Sequence, residues 1–233
     1  AALKASQVSV LTSVQVAGLT TDQVPVLGTA QVAALSVLAV QALSTVQVGA
    51  LTTGQVSVLT TDQASGLTTA QVVTLSTAQV LALTSVQVGA LKTSQVEALE
   101  TRDVAVLTTR QIGALSSSQV RALTTAQVEA LTTTQAGALS VDQAAALTST
   151  QVAALETVDV AALGTAQVAA LTTLAVAALN SNQLQGLTSV QVGALTTRQI
   201  GALSTAQLSA LETTDVAALK ASQVSVLTSV QVA

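Results

Sequence analysis

The chain has 233 residues and contains no His, Cys, Met, Trp, Tyr or Phe; 8% of its residues are charged and the net charge is -4. This composition removes the usual catalytic base, the thiol nucleophile and the soft metal ligands, so no enzymatic activity, no cofactor and no small-molecule substrate are expected. Seven Lys and Arg, spread singly, make no basic stripe that would neutralise phosphates, so no nucleic-acid partner is expected, and the lack of cysteine leaves the redox compartment open.

From its first residues the chain repeats. A Leu stands at every eighth position from Leu3 to Leu227, giving 29 octads that read roughly Leu-Thr-Thr-x-Gln-Val-x-Ala. Counted from Leu, position two is Ser, Thr, Asn or Gly in 23 of 29 copies, and position five is Gln in 24 and Asp in three. These are the two halves of a capping box. A hydroxyl at the N-cap accepts from the N3 amide, and a glutamine at N3 accepts from the N-cap amide. The same register puts Leu at N′ and mostly Val at N4, the two positions of a hydrophobic staple. Each octad is therefore predicted to start its own helix of about six residues and to end it at the next Leu-Thr joint.

One continuous helix does not fit, because eight residues over two turns give a period of about 4, while a helical stripe needs about 3.5 to 3.67. The predicted fold is all-α: a solenoid or superhelix of short capped helices, one per octad, forming a single tandem array over residues 1–233 with no internal boundary. Helices this short need stacked neighbours, so stability is expected to depend on array length. The alternative is a β-solenoid. Strand alternation, however, would mix the invariant Leu and the Gln with the variable position seven, and Gln and Ala are poor strand formers.

Along the chain, positions one, six and eight are expected to form the interior, and positions four and seven, which hold most of the charge and variety, to face outward. Pro25 falls at position seven, inside a predicted helix, where a local distortion is expected. Lys4, Lys92 and Lys220 occupy position two as solvated charges that can pair with acids between turns. Position two is Glu only at Glu100, Glu156 and Glu212, and in those three octads alone position five is Asp: Asp103, Asp159 and Asp215, evenly spaced at seven octads. Paired carboxylates offer oxygen ligands to a cation such as calcium. Two carboxylates fall short of the six to eight oxygens calcium takes, and an acid at N3 also suits the helix dipole, so no metal site is expected and these six residues stand as the only candidates.

Residues 217–233 repeat residues 1–17 letter for letter, which lays a higher-order repeat of twenty-seven octads over the octad itself and points to a longer chain. No window approaches 18 consecutive apolar residues, so no membrane span is expected, and Ala1 opens no leader pattern, so any targeting signal is expected outside these residues.

Two resemblances follow from the octad. The string Leu-Thr-x-x-Gln-Val, as at Leu67–Val72, resembles the first helix of transcription-activator-like effector repeats. The 34-residue period, the base-reading dipeptide and the basic character of that family are missing here, so DNA binding does not carry over. Uninterrupted Leu-Thr-Thr-x-Gln-Val-x-Ala arrays are similar to tracts of very large bacterial surface and secreted proteins, over the whole chain. That resemblance implies an extracellular or cell-surface filament, stalk or sheath, and the low charge and ample Ala and Val surface lead us to expect self-association into fibres. The alternative is an adhesin tract that binds a surface or ligand through its repetitive polar face, the Thr ladder of positions two and three.

Overall fold

The computed structural model describes residues 4–232. Its chain forms two compact units, Ala1–Leu115 and Ser116–Ala233. Among the described residues there are 28 α-helices of four to six residues and no strand. The all-α solenoid is the fold, and the β-solenoid is excluded for the described residues.

Each helix starts where the capping box places it. In the octad from Leu59, Thr60 is extended (φ -67°, ψ 162°) and its Oγ1 accepts from the Gln63 amide at 3.1 Å, while the Thr60 amide donates to Gln63 Oε1 at 2.7 Å. The helix Thr61–Gly66 follows and stops at Leu67, whose φ of -55° and ψ of 141° leave the helical region. Leu67 and Thr68 are two extended residues in succession, and the joints Leu83–Thr84 and Leu107–Thr108 repeat them. No residue with positive φ occurs among the described residues, so the array turns without the left-handed glycine that often ends helices. The octad with Pro25 has lost its α-helix to turns, because a proline at position seven lacks the amide that would close the helical turn.

Within each unit a helix packs on the helix three octads before it and on the one three octads after. In the second unit, Thr157–Ala162 lies against Thr133–Gly137 and against Ser181–Gly186; in the first, Thr61–Gly66 lies against Ser85–Ala90. The chain therefore passes its own earlier path after three to four octads. Direct hydrogen bonds between successive passes fix the offset at 25 to 31 residues, from Ser13 Oγ to the Leu38 carbonyl at the short end to Gln63 Nε2 and the Val32 carbonyl at the long end. Some glycines at position seven sit where the passes come closest. A Cβ on Gly137 would lie 3.1 Å from the Ala162 carbonyl oxygen, and one on Gly193 would lie 3.1 Å from that of Ala218.

The interior differs from the expected one in a single position. Leu at position one and Val, Ile, Leu or Ala at position six are buried through most of the array, as at Leu67, Val72, Ile112 and Leu184. The third buried position is five, not eight. Gln55, Gln63, Gln95, Gln127, Gln183 and Gln199 are among the most deeply buried side chains, whereas Ala at position eight is mostly half-exposed. A small residue at position eight serves close approach at the rim, and the centre belongs to an amide. Position four faces out, with Val14, Leu38, Val46 and Leu174 left apolar and exposed.

Candidate functional site

Burying a glutamine in every octad requires that its amide be fully hydrogen-bonded, since an unpaired buried amide costs about 1–3 kcal/mol. The carbonyl half is satisfied locally by the N-cap amide. The amino half reaches across to the previous pass. Gln63 Nε2 donates to the carbonyls of Leu35 at 2.7 Å, Val32 at 3.0 Å and Ala33 at 3.3 Å. Gln191 Nε2 does the same in the second unit, to Leu163 at 2.6 Å, Ala161 at 3.1 Å and Val160 at 3.2 Å. These acceptors are the last carbonyls of one helix and the Leu at the following joint; the Val32 and Val160 carbonyls also accept the amides of Leu35 and Leu163, so the glutamine adds a second bond there. One side chain thus caps the start of its own helix and the end of another, 28 to 31 residues earlier. Repetition of this amide makes a glutamine ladder through each unit.

Five octads break the ladder. Ala39 and Ala175 replace Gln outright, and their N-caps, Ser36 and Thr172, keep the hydroxyl cap. Asp103, Asp159 and Asp215 replace it with an acid, and there the N-cap is Glu. The three aspartates are 0%, 1% and 3% exposed. The glutamates at their N-caps stand at the surface, Glu100 half-exposed and Glu156 and Glu212 exposed. The structure therefore brings each Glu together with the Asp of its own octad, one outside and one inside. It does not gather the pairs: no group of three or more His, Cys, Asp or Glu able to share a metal ion occurs among the described residues.

The three pairs are satisfied to different degrees. Neither carboxyl oxygen of Asp103 has a hydrogen-bond partner, and Oδ2 of Asp159 has none. Burial pushes both carboxyls above the ordinary carboxylate range, against the nearby Glu100 amide and then the charge of Arg102 at Asp103, and against a hydrogen bond from Thr133 and the nearby Glu156 amide at Asp159. Asp215 is accommodated: Oδ1 accepts from Ser189 Oγ at 2.9 Å and Oδ2 from the Glu212 amide at 3.2 Å. Glu100 is engaged in an ion pair with Arg102 of its own octad. No Lys or Arg stands in the octads of Glu156 or Glu212.

Sequence reasoning found the acid pairs and the capping half of each Gln, but it missed the amide donation between passes. The available signal was chemical. Glutamate serves an N3 capping position as well as glutamine does, yet no octad carries Glu at position five. A position that takes the amide and refuses its acid isostere needs a donor.

The string Ala-Leu-Thr-Thr-Ala-Gln appears letter for letter at residues 122–127. No curated protein matches the chain. The family model of the ALTTAQ repeat matches residues 24–61, 96–133, 118–149, 152–189 and 176–205, together more than half of the chain, and the chain belongs to the ALTTAQ repeat family.

Proposed function

We propose that the chain is a structural element, a filament, stalk or sheath outside a bacterial cell, whose work is to hold distance and carry load. The observation that supports this reading is the glutamine ladder. Each pass of the solenoid is tied to the one before it by buried, uncharged hydrogen bonds at a constant offset, as at Gln71 to Leu43 and Gln199 to Leu171. A spacer needs such uniform links and no specialised site. Helices of five or six residues cannot stand alone, so pulling apart one pass exposes the next, which suits gradual yielding under load. No described helix is long and apolar enough to cross a membrane.

Exposed Val14, Leu38, Val46 and Leu174 at position four favour lateral contact with further copies. Electron microscopy of the native assembly tests the reading: regular fibres whose diameter matches the solenoid support it, and dispersed monomers that bind a surface contradict it. The second outcome would favour the adhesin. That reading draws its support from the exposed hydroxyl pairs Thr52–Thr53, Thr60–Thr61 and Thr68–Thr69, although the first of each pair is occupied with capping.

A further inference from the structure

The two faces that a pass of the solenoid presents to its neighbours are unlike each other. At the first pass of the described residues, Gln7, Gln15 and Gln23 at position five are exposed, while Val8, Val16 and Val24 at position six are buried. At the last pass the pattern inverts. Asp215 and Gln223 are buried, while Val216 and Val224 are 51% and 49% exposed, against 0–1% for the valines at this position in the interior. Position five therefore belongs to the contact with the preceding pass, and position six to the contact with the following one. We propose that the last pass of one copy of this chain docks the first pass of a second copy, end on, in the place of its own next pass.

The docking groups match in kind, number and spacing. Through Oε1, Gln7, Gln15 and Gln23 accept from the amides of Lys4, Thr12 and Thr20 at 2.8, 2.8 and 2.9 Å, so their side chains are already held in place. Among the described residues no carbonyl takes their Nε2. Elsewhere a glutamine donates to the joint Leu 28 residues earlier, from Gln47 with Leu19 to Gln231 with Leu203. The next three joints, Leu211, Leu219 and Leu227, have carbonyls that no side-chain amide of the described residues reaches. Three donors spaced by one octad thus face three acceptors with the same spacing. Each of these rungs is incomplete without the amide of the second copy.

Apolar contact adds to the amides. Leu208, Leu211, Val216, Leu219 and Leu227 line an open hollow of about 320 Å³ at the last pass, and the half-exposed Leu11, Leu19 and Leu27 lie on the face that meets it. Repeat arrays that stay monomeric cover such a face with a polar terminal repeat, whereas Val216 and Val224 stand open on octads of the ordinary pattern. Because the two faces differ, the contact is heterologous, and copies add head to tail until the series closes as a ring or continues as a fibre. The inference rests on the filament reading and gives it an axial joint, distinct from lateral contact at position four.

The joint is tested by sedimentation velocity on the full chain and on two variants. Gln7→Glu, Gln15→Glu and Gln23→Glu together remove the donors from the first face and keep an acceptor for each N-cap amide. Val216→Glu with Val224→Glu charges the last face. All five residues are exposed, so unchanged helix is expected by circular dichroism. The unaltered chain is expected to form oligomers that grow with concentration, and each variant alone to stay monomeric. An equal mixture of the two variants is expected to stop at twice the monomer mass, since each keeps one intact face. The glutamine variant added to the unaltered chain is expected to shorten the oligomers, which decides the matter if the valine variant loses helix. The proposal is overturned if the unaltered chain is monomeric at millimolar concentration, if the variants associate as it does, or if their mixture forms no dimer. A position-four variant, Leu38→Ser with Val46→Ser and Leu174→Ser, is expected to keep end-on growth. Loss of association in that variant would assign the fibre to lateral contact, overturning the end-on joint and leaving the filament reading in place.

Discussion

Gln63 Nε2 donates to the carbonyl of Leu35 at 2.7 Å, across 28 residues of chain, while Oε1 of the same side chain holds the amide of Thr60 only three residues away. One planar amide thereby fixes both a local helix start and the spacing between passes. The seven octads that separate Asp159 from Asp215 amount to twice that 28-residue offset, so within the second unit the two acids recur after about two turns.

If the amide is the link between passes, its two halves can be separated by substitution. Gln63→Glu keeps the acceptor for the Thr60 amide and removes the donor to Val32, Ala33 and Leu35, while adding a buried charge. A loss of about 3–5 kcal/mol is expected by chemical denaturation. Gln63→Ala removes both halves without a charge and is expected to cost about 1–3 kcal/mol, in keeping with the tolerated Ala39 and Ala175. A negligible loss for Gln63→Glu beside a larger one for Gln63→Ala would show that only capping matters.

Caps contribute locally. Thr60→Ala removes the acceptor for the Gln63 amide, and a loss of about 1 kcal/mol is expected, measured as a shift of the denaturation midpoint with unchanged slope. Thr61→Ala, one residue later, exposed and outside the capping box, serves as the near-neutral comparison.

The buried aspartates give stability a pH dependence of definite sign. Folding raises the carboxyl pKa of Asp103 and Asp159 above the ordinary value of 3.8, so the folded chain holds protons that the unfolded chain releases. Their contribution to stability falls as pH rises from 3.8 through the raised values, and it stays low at neutral pH. The groups that set this response are Glu100 and Arg102 around Asp103, and Glu156 and Thr133 around Asp159. The double variant Asp103→Gln, Asp159→Gln is expected to melt higher at pH 7 than the unaltered chain, with the difference shrinking towards pH 4. A difference that grows on acidification would reverse the assignment.

Packing at position six sets the cost of cavities. Leu184 is fully buried, and Leu184→Ala is expected to cost about 2–5 kcal/mol by denaturation. Ala64, Ala136 and Ala144 occupy the same position elsewhere, so the neighbouring passes accommodate a smaller residue when the surrounding octad is built around it.

The local structure was legible because its determinants lie within one octad. Thr at position two and Gln at position five specify where a helix starts, and Leu specifies where it ends, whatever surrounds them. The number of octads per turn was not legible, since the offset of 28 to 31 residues arises from packing between passes and nearly identical octads carry no mark of it. For the same reason Gln63 read as a capping residue and not as a buried one: a polar side chain used locally looks the same whether or not its second half crosses to a neighbour. Ala at position eight misled in the opposite sense. Its small size suits a half-exposed rim as well as a close-packed centre. Of the candidate site, the Glu-Asp pairing was visible in the letters, whereas the hydroxyls of Thr133 and Ser189 that reach Asp159 and Asp215 belong to octads of the preceding pass.

Side-chain amide hydrogen exchange, followed by NMR on the chain labelled at glutamine nitrogen, reads the ladder residue by residue. The Nε2 protons of Gln63, Gln71, Gln183 and Gln199, which are buried and bonded to two or three carbonyls, are expected to exchange slowly, while those of the exposed Gln15 and Gln23 exchange at the rate of free glutamine. Uniformly fast exchange at all of these glutamines would contradict the ladder as the element that joins one pass to the next.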